Sequence, residues 1–481
     1  MALRYKAAKG FLWHFGATSA WKIIDFITSI ILARLLIPED FGVMAICYLV
    51  PYFLFIFSNF GMSSYIIQKK NNNKDELDTA FFLSIFFGLI MYLIIYLISP
   101  LISNFYGLPQ ITWMIRILSL SLIISSFDKI PFAIKEKNLD YKSLVYPRVL
   151  PWIVYLIISV GLTLLNYRVW SLIIGYLSMS VSKFILIWIV SDYRPNFNFN
   201  KEYAKESLLF GKDIVLYALL TFFILYGVEG YVGKIFGTVS LGYFTIANKF
   251  STLMSKNITR ILNRIMFSTF STIQDNLKQI KESFIKVFEY ACLLIIPALL
   301  GIFILSPEII TILYTNKWME AIPLLRLLVI SGIAMSIGNL TNSVLLATKK
   351  QNILSKIKIF QIIILISTIH PFSKIFGLKG VAYSLILSFI VKSIFDFYAT
   401  TKILDLELLR MIKDLSYIPL SSLLMGVSIL VLKIYINISN IFLLGFTMIF
   451  GLMIYVISLY VVNKSIFRRI IKFYFNFKKT L

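Results

Sequence analysis

The sequence predicts an all-α polytopic membrane protein of about fourteen transmembrane helices, arranged as two pseudo-symmetric six-helix lobes plus two C-terminal helices. Three observations carry this expectation. The 481 residues are 59% hydrophobic and 15% charged, with a mean hydropathy of +0.83, against about 45–50% and about 25% in soluble domains. Apolar runs near 20 residues, the length that crosses about 30 Å of hydrocarbon, recur along the whole chain. The basic residues cluster in alternate loops, as the orientation rule for membrane helices requires. Helices are needed because unpaired backbone groups in lipid are too costly, and the alternating pattern of a β-barrel is absent.

The first span, 11–37, is too long for the apolar region of a secretory signal and carries Lys22, Asp25 and Arg34, so it reads as a retained helix. Spans at 41–67, 77–99, 112–133, 144–166 and 169–191 complete an N-terminal lobe, 1–191. A polar cytoplasmic linker, 192–207, follows, and its Asp192-Tyr193-Arg194-Pro195-Asn196 breaks the helix at a proline. Spans at 208–234, 240–268, 284–306, 322–347, 354–371 and 380–402 make a C-terminal lobe, 208–402. Two further spans, 414–434 and 439–463, with a basic tail, occupy 403–481. The tail interleaves Lys and Arg with Phe and Tyr, which suits an amphipathic segment on the inner leaflet.

With the N-terminus inside, one set of loops collects Lys69, Lys70 and Lys74, then Lys135, Lys137 and Lys142, then Lys278 and Lys281, and Lys349 and Lys350. The opposite loops hold little beyond Arg168, Lys317, Lys374 and Lys379. That asymmetry places both termini in the cytoplasm, and the plasma membrane is the expected location. The net charge of +24 is therefore read as topology and contact with anionic lipid, and nucleic-acid binding is not expected.

An internal repeat appears when the chain is laid 200 residues apart. Arg34-Leu35 meets Lys234-Ile235, Phe41-Gly42 meets Leu241-Gly242, and Met44, Ile46 and Phe53 meet Phe244, Ile246 and Leu253. A weaker echo aligns Val169 to Ile174 with Val381 to Ile386. Parallel repeats of this kind are a recurring transporter construction, with the substrate site between the halves.

Ionisable side chains deep in a bilayer cost at least about 2.5–3.5 kcal/mol each, so they normally face a cavity or a partner. In the eighth span Lys249, Lys256, Arg260 and Arg264 fall at roughly 0°, −20°, +20° and +60° for 100° per residue, on one helical face. Measured from an outer end near Ser240, Lys249 lies about 14 Å deep and Lys256 about 24 Å. A row of cations without an acid on its own helix suits a phosphate-bearing ligand, since charge-assisted hydrogen bonds offset the desolvation of both partners. In the first span Lys22 and Asp25 are three apart and able to pair, and His14 reads as a satisfied polar residue. Lys392 and Asp396, at i and i+4, read as a local pair. Arg116 and Arg326 each open a helix from the outer side, as interface anchors do. Asp128, Lys129 and Lys183 have no partner visible in the sequence.

No catalytic constellation, phosphate-cradling loop or metal-ligand spacing is present, and Cys47 and Cys292 stand apart in apolar segments. The chain is therefore expected to be no enzyme and to need no cofactor or metal. The longest outer loop is only about 15 residues, too short for the catalytic loop of a membrane glycosyltransferase or polymerase.

Several blocks resemble the polysaccharide transporter, or Wzx-type flippase, family of the multidrug/oligosaccharidyl-lipid/polysaccharide exporter superfamily, in its colanic-acid and teichuronic-acid branch. They are Ala33-Arg34-Leu35-Leu36-Ile37-Pro38-Glu39-Asp40-Phe41-Gly42, Ile67-Gln68-Lys69-Lys70, Asp78-Thr79-Ala80-Phe81, Phe105-Tyr106-Gly107, Leu241-Gly242-Tyr243-Phe244, and Asn316-Lys317-Trp318 with its continuation to Arg326. The resemblance implies two lobes around a central cavity, alternating access, and substrates that are polyprenyl-(di)phosphate-linked oligosaccharides carried outward for cell-surface polysaccharide. It implies phosphate-binding roles for Lys249, Lys256 and Arg260, with Lys22 and Asp25 as lesser candidates. It also implies membrane lipids, a glycan polymerase and glycosyltransferases of the same pathway as partners. The competing expectation on the same fold is a cation-coupled multidrug exporter, which needs acidic cavity residues. Asp25 is the strong N-terminal candidate for that role.

Overall fold

The computed structural model of the chain describes residues 2–69, 72–273 and 276–464. Every element among these residues is helical. The helices are α1 (Ala2–Leu35), α2 (Pro38–Asn59), α3 (Met62–Gln68), α4 (Lys74–Tyr106), α5 (Ile111–Lys137), α6 (Val145–Leu164), α7 (Val169–Val190) and α8 (Lys201–Phe222). They continue with α9 (Val228–Thr272), α10 (Leu277–Ile304), α11 (Ser306–Ile309), α12 (Ala321–Ala347), α13 (Gln351–Phe376), α14 (Leu378–Leu404), α15 (Leu408–Leu415), α16 (Tyr417–Tyr435) and α17 (Ile441–Val462).

Thirteen of the described helices are long and apolar enough to cross a membrane. One of the thirteen, Ala218–Thr252, contains a break at Gly237, whose φ of 79° and ψ of 177° no helix accommodates. Only glycine enters that region without strain. With this break the helices account for about fourteen spans, and the fold class is the expected one. The second expected span, 41–67, is shorter in the structure: Phe60 and Gly61 take positive φ values of 38° and 75°, end α2 and start the separate short α3.

The chain forms two compact units, Met1–Gly242 and Tyr243–Leu481. In the first, α2, α4, α5 and α7 pack around one another and α1 lies on α6. In the second, α12 packs on both α10 and α14, while α13 lies on α14 and α16 on α17. Small residues make these contacts close, as membrane helix packing requires. A Cβ on Gly88 of α4 would sit 2.8 Å from that of Ser126 in α5, and one on Gly175 of α7 would sit 1.9 Å from the Ser159 hydroxyl of α6. In the second unit the equivalent pair is Gly338 of α12 and Ser393 of α14, at 2.6 Å. The outward faces are apolar: Leu89, Leu93, Leu97 and Leu101 form an exposed stripe along α4 at four-residue spacing, the surface that lipid covers.

The 200-residue repeat has a physical counterpart within the first unit. A Cβ on Gly42 would lie 1.8 Å from the carbonyl oxygen of Thr238, and a Cβ on Gly242 would lie 1.9 Å from that of Pro38. Positions 38 and 42 therefore meet positions 238 and 242 reciprocally, the pattern a two-fold axis produces. A second matched device links each unit's own helices. Arg116 Nε donates to Ser99 Oγ at 2.9 Å and Arg326 Nε to Ser306 Oγ at 3.0 Å, each serine preceding a proline, Pro100 or Pro307. Both arginines thus fasten the helix before them, and Arg116 also stacks on the Tyr96 ring at 4.0 Å.

Candidate functional site

The cationic stripe lies on α9 beyond the Gly237 break, and its orientation follows from what the other side of the helix does. Ala247, Ser251, Ser255 and Thr259, four residues apart, are all buried. Ser255 Oγ donates to the Gly332 carbonyl of α12 at 2.9 Å, and the bare Gly332 leaves room for the Ser251 carbonyl. Asn263 Nδ2 continues the contact with a 2.8 Å bond to the Asn339 carbonyl. Helical register sets Lys249 about 140° around from the centre of that packed face. Lys249 is partly buried. Lys256 and Arg260 share its side of the helix by register, and their side chains lie outside the described residues.

In the first unit, Lys22 and Asp25 sit on α1, both partly buried. Trp21 stacks on Trp152 of α6 with ring centroids 5.1 Å apart, which fixes the rotation of α1 at this level. Asp25 comes within electrostatic reach of Tyr155, one turn further along α6. His14 is satisfied, as expected: its Nδ1 bonds Arg148, which also pairs with Glu136. Arginine can only donate, so that His14 nitrogen carries the lone pair.

The structure supplies the partners that the sequence did not reveal for three charges within the spans. Lys183 Nζ of α7 donates to Asp128 Oδ1 of α5 at 2.9 Å. Lys129 Nζ donates to Ser58 Oγ of α2 at 2.8 Å and lies 4.3 Å from the Phe55 ring centre. Adjacent positions on a helix point about 100° apart, so Asp128 and Lys129 address different neighbours. Beside them a cavity of about 50 Å³ is lined by Tyr48, Tyr52, Phe55, Ser121 and Tyr176, with the Tyr48 and Tyr176 hydroxyls 3.1 Å apart. The sequence signal for this group was the consecutive Asp128 and Lys129 in one apolar span and Lys183 in another. Lys392 pairs with Asp396 as expected and reaches Asn339 Oδ1 at 3.4 Å.

Outside the spans, Lys69 gathers Tyr65, Glu76 and Glu206 at 3.0, 2.9 and 3.0 Å, joining α3, α4 and α8. The Tyr65 hydroxyl first, then the two carboxylates, hold the Lys69 ammonium charged well above the ordinary lysine range. Lys69, and after it Tyr65, hold the Glu206 carboxyl below the usual carboxylate range. Asp140 is also held below it: Ser143 and Lys135 outweigh the opposing effect of burial. Among the described residues no group of three or more His, Cys, Asp and Glu could hold a metal ion.

A bundle of apolar helices, one broken at Gly237 and carrying cations on the side turned away from its α12 contact, defines a multi-pass membrane protein with a transporter's architecture. The fold is similar to that of "Lipid II flippase MurJ, inward closed conformation", with a TM-score of 0.77 and 19% sequence identity over 95% of this chain and 100% of that one. The sequence family described as "Polysaccharide biosynthesis protein" matches residues 31–323, and the chain belongs to this family. It is 25% identical over 406 residues to the "Uncharacterized membrane protein in cps region" of Klebsiella pneumoniae, covering 84% of each chain. It is 24% identical over 408 residues to "Lipopolysaccharide biosynthesis protein WzxC" of Escherichia coli K12, covering 84% of this chain and 82% of that protein. The resemblance carried by the Pro-Glu-Asp-Phe-Gly and Lys-Trp blocks is borne out.

Proposed function

We propose that this protein moves polyprenyl-(di)phosphate-linked oligosaccharides from the cytoplasmic to the outer face of the plasma membrane by alternating access. The observation that carries the reading is the cationic row on the side of α9 away from α12, in a chain of the polysaccharide biosynthesis family with the fold of a lipid II flippase. Lys249, Lys256 and Arg260 bind the phosphate groups, and Lys22 and Asp25 contact the head group from α1. The acyl tail stays in lipid. Residues 1–191 and 208–402 are the two lobes that rock, 192–207 links them, and 403–481 adds two helices and a basic tail. The reciprocal Gly42 and Gly242 contacts support that repeat.

Both termini face the cytoplasm, as the loop lysines favour. Membrane lipids surround the protein, and the glycosyltransferases and polymerase of the same pathway supply and consume its cargo. The chain itself performs no covalent chemistry. The direction is favourable: a charge crossing 100 mV changes its energy by about 2.3 kcal/mol, so a dianion leaving a negative interior gains about 4–5 kcal/mol.

Depletion of the protein in cells that make the glycan tests the reading. Labelled lipid-linked oligosaccharide should accumulate on the cytoplasmic face and disappear from the outer one. Unchanged sidedness, together with a drug sensitivity that Asp25→Asn reproduces, would transfer the assignment to a cation-coupled drug exporter.

A further inference from the structure

The second unit contains a cavity that the transport reading does not use. It holds about 540 Å³, within the roughly 300–1,000 Å³ range of ligand pockets. The beginning of α10 supplies one wall with Lys281 and Glu289, and the turn into α15 together with that helix supplies the other with Glu407, Arg410, Met411 and Asp414. The short helix is amphipathic, with Met411 buried and Glu407 and Arg410 both 74% exposed along the open side of the cavity. Glu407, Arg410 and Asp414, spaced three and four apart, line the cavity, while Leu409 and Ile412 are 84% and 58% exposed on the outside. A helix divided in this way suits a membrane interface, where its leucines would meet acyl chains. Its charged face then fronts a wet chamber at head-group depth.

The chemistry of the chamber is mixed. Two cations, Lys281 and Arg410, stand with three carboxylates, Glu289, Glu407 and Asp414. Lys281 is braced by the Asp405 carbonyl, Arg410 lies 3.7 Å from Glu407, and Glu289 accepts from the Tyr417 hydroxyl at 2.6 Å. An anionic head group would meet more carboxylates than cations there. A zwitterion uses both signs, its phosphate with the cations and its ammonium with the acids. A trimethylated ammonium has no N–H to donate to a carboxylate, whereas a primary ammonium has three.

We propose that this cavity binds the head group of a zwitterionic phospholipid with a primary ammonium, phosphatidylethanolamine, with the phosphate on Lys281 and Arg410 and the ammonium on Asp414 and Glu289. The acyl chains run along Leu409 and Ile412. The site is separate from the cationic row on α9 and does not depend on the cargo assigned to it.

Lipid retention by the purified full chain tests this, read by native mass spectrometry after exchange into nanodiscs containing equal parts phosphatidylethanolamine, phosphatidylcholine and phosphatidylglycerol. The ethanolamine lipid should be retained about tenfold over each of the others. Arg410→Gln should reduce its retention about tenfold, Arg410→Lys should keep most of it, and Asp414→Asn should move the preference toward phosphatidylglycerol. Equal retention of the three lipids, a preference for the glycerol lipid in the unaltered chain, or variants that leave the ethanolamine preference intact would overturn the assignment. The assay reads bound lipid and not transport, so its failure leaves the flippase reading standing, and the reverse also holds.

Discussion

Replacing Gly42 by alanine probes the reciprocal crossing directly. The added Cβ would lie 1.8 Å from the Thr238 carbonyl oxygen, 2.6 Å from its carbon and about 3.0 Å from its Cα. Ordinary contact needs more than about 3 Å, and the obstructing atoms are backbone, which no rotamer change removes, so the two segments must separate by more than about 1 Å. Overpacking of this kind costs about 1–3 kcal/mol, while alanine in place of a helical glycine gains roughly 0.8–1 kcal/mol. The net expectation is a loss of up to about 2 kcal/mol, where an uncrowded glycine would show a gain. Gly16 and Gly161 have nothing within 4 Å of an added Cβ and are the matched controls. Thermal unfolding of the purified protein in detergent should rank Gly42→Ala and Gly242→Ala below the unaltered chain, and Gly16→Ala and Gly161→Ala at or above it. The double Gly42→Ala, Gly242→Ala variant should be less damaged than the sum of the singles, because a crossing opened for one methyl group has room for the other. A Gly42→Ala protein as stable as Gly16→Ala would refute the reasoning and with it the physical counterpart of the repeat.

The Asp128 and Lys183 pair should show coupling in a double-mutant cycle. Lys183 is 37% exposed, so the 3–5 kcal/mol of a fully buried pair does not apply, and about 1–2 kcal/mol is expected between Asp128→Asn and Lys183→Gln by thermal unfolding. Coupling near zero would mean the two side chains do not meet in the membrane. The Lys69 cluster makes a pH prediction. Glu206 is held below its unfolded value of about 4.3, so its contribution is complete above that pH and is lost as pH falls through the folded value. Lys69 is held above its unfolded value of about 10.4, so its contribution is complete below that pH and is lost only as pH rises through the folded value. Glu206→Gln should therefore lower the unfolding temperature slightly at pH 7, within the under 1 kcal/mol of an exposed pair, and the difference should shrink as pH falls below the ordinary carboxylate range. A constant difference across that range would contradict the assignment.

What could be read from the sequence was whatever depends on one helix at a time. Span lengths follow from hydrocarbon thickness, the Lys392 and Asp396 pair from i, i+4 geometry, and the common face of Lys249, Lys256 and Arg260 from helical register. The repeat was legible because Gly42 and Gly242 align without a gap, and the reason for the two glycines is the backbone each one meets. Contacts between helices were not legible. Lys183 lies 55 residues from Asp128 on another helix, and nothing in either segment names the other. The head-group cavity escaped notice for the same reason: Lys281 and Arg410 belong to different elements, and residues 403–413 read as an ordinary loop before the next span. The division of 41–67 was also missed, because Phe60 takes a left-handed conformation that its residue type does not announce.

The central claim is that membrane-embedded cations on α9 carry the phosphate of a lipid-linked glycan. Its most direct test is the sidedness of that labelled lipid in cells whose only copy of the protein bears Lys249→Ala with Lys256→Ala, normalised to the amount of inserted protein. The account predicts normal insertion with the glycan lipid held on the cytoplasmic face. Outer-face delivery at the unaltered rate would contradict it.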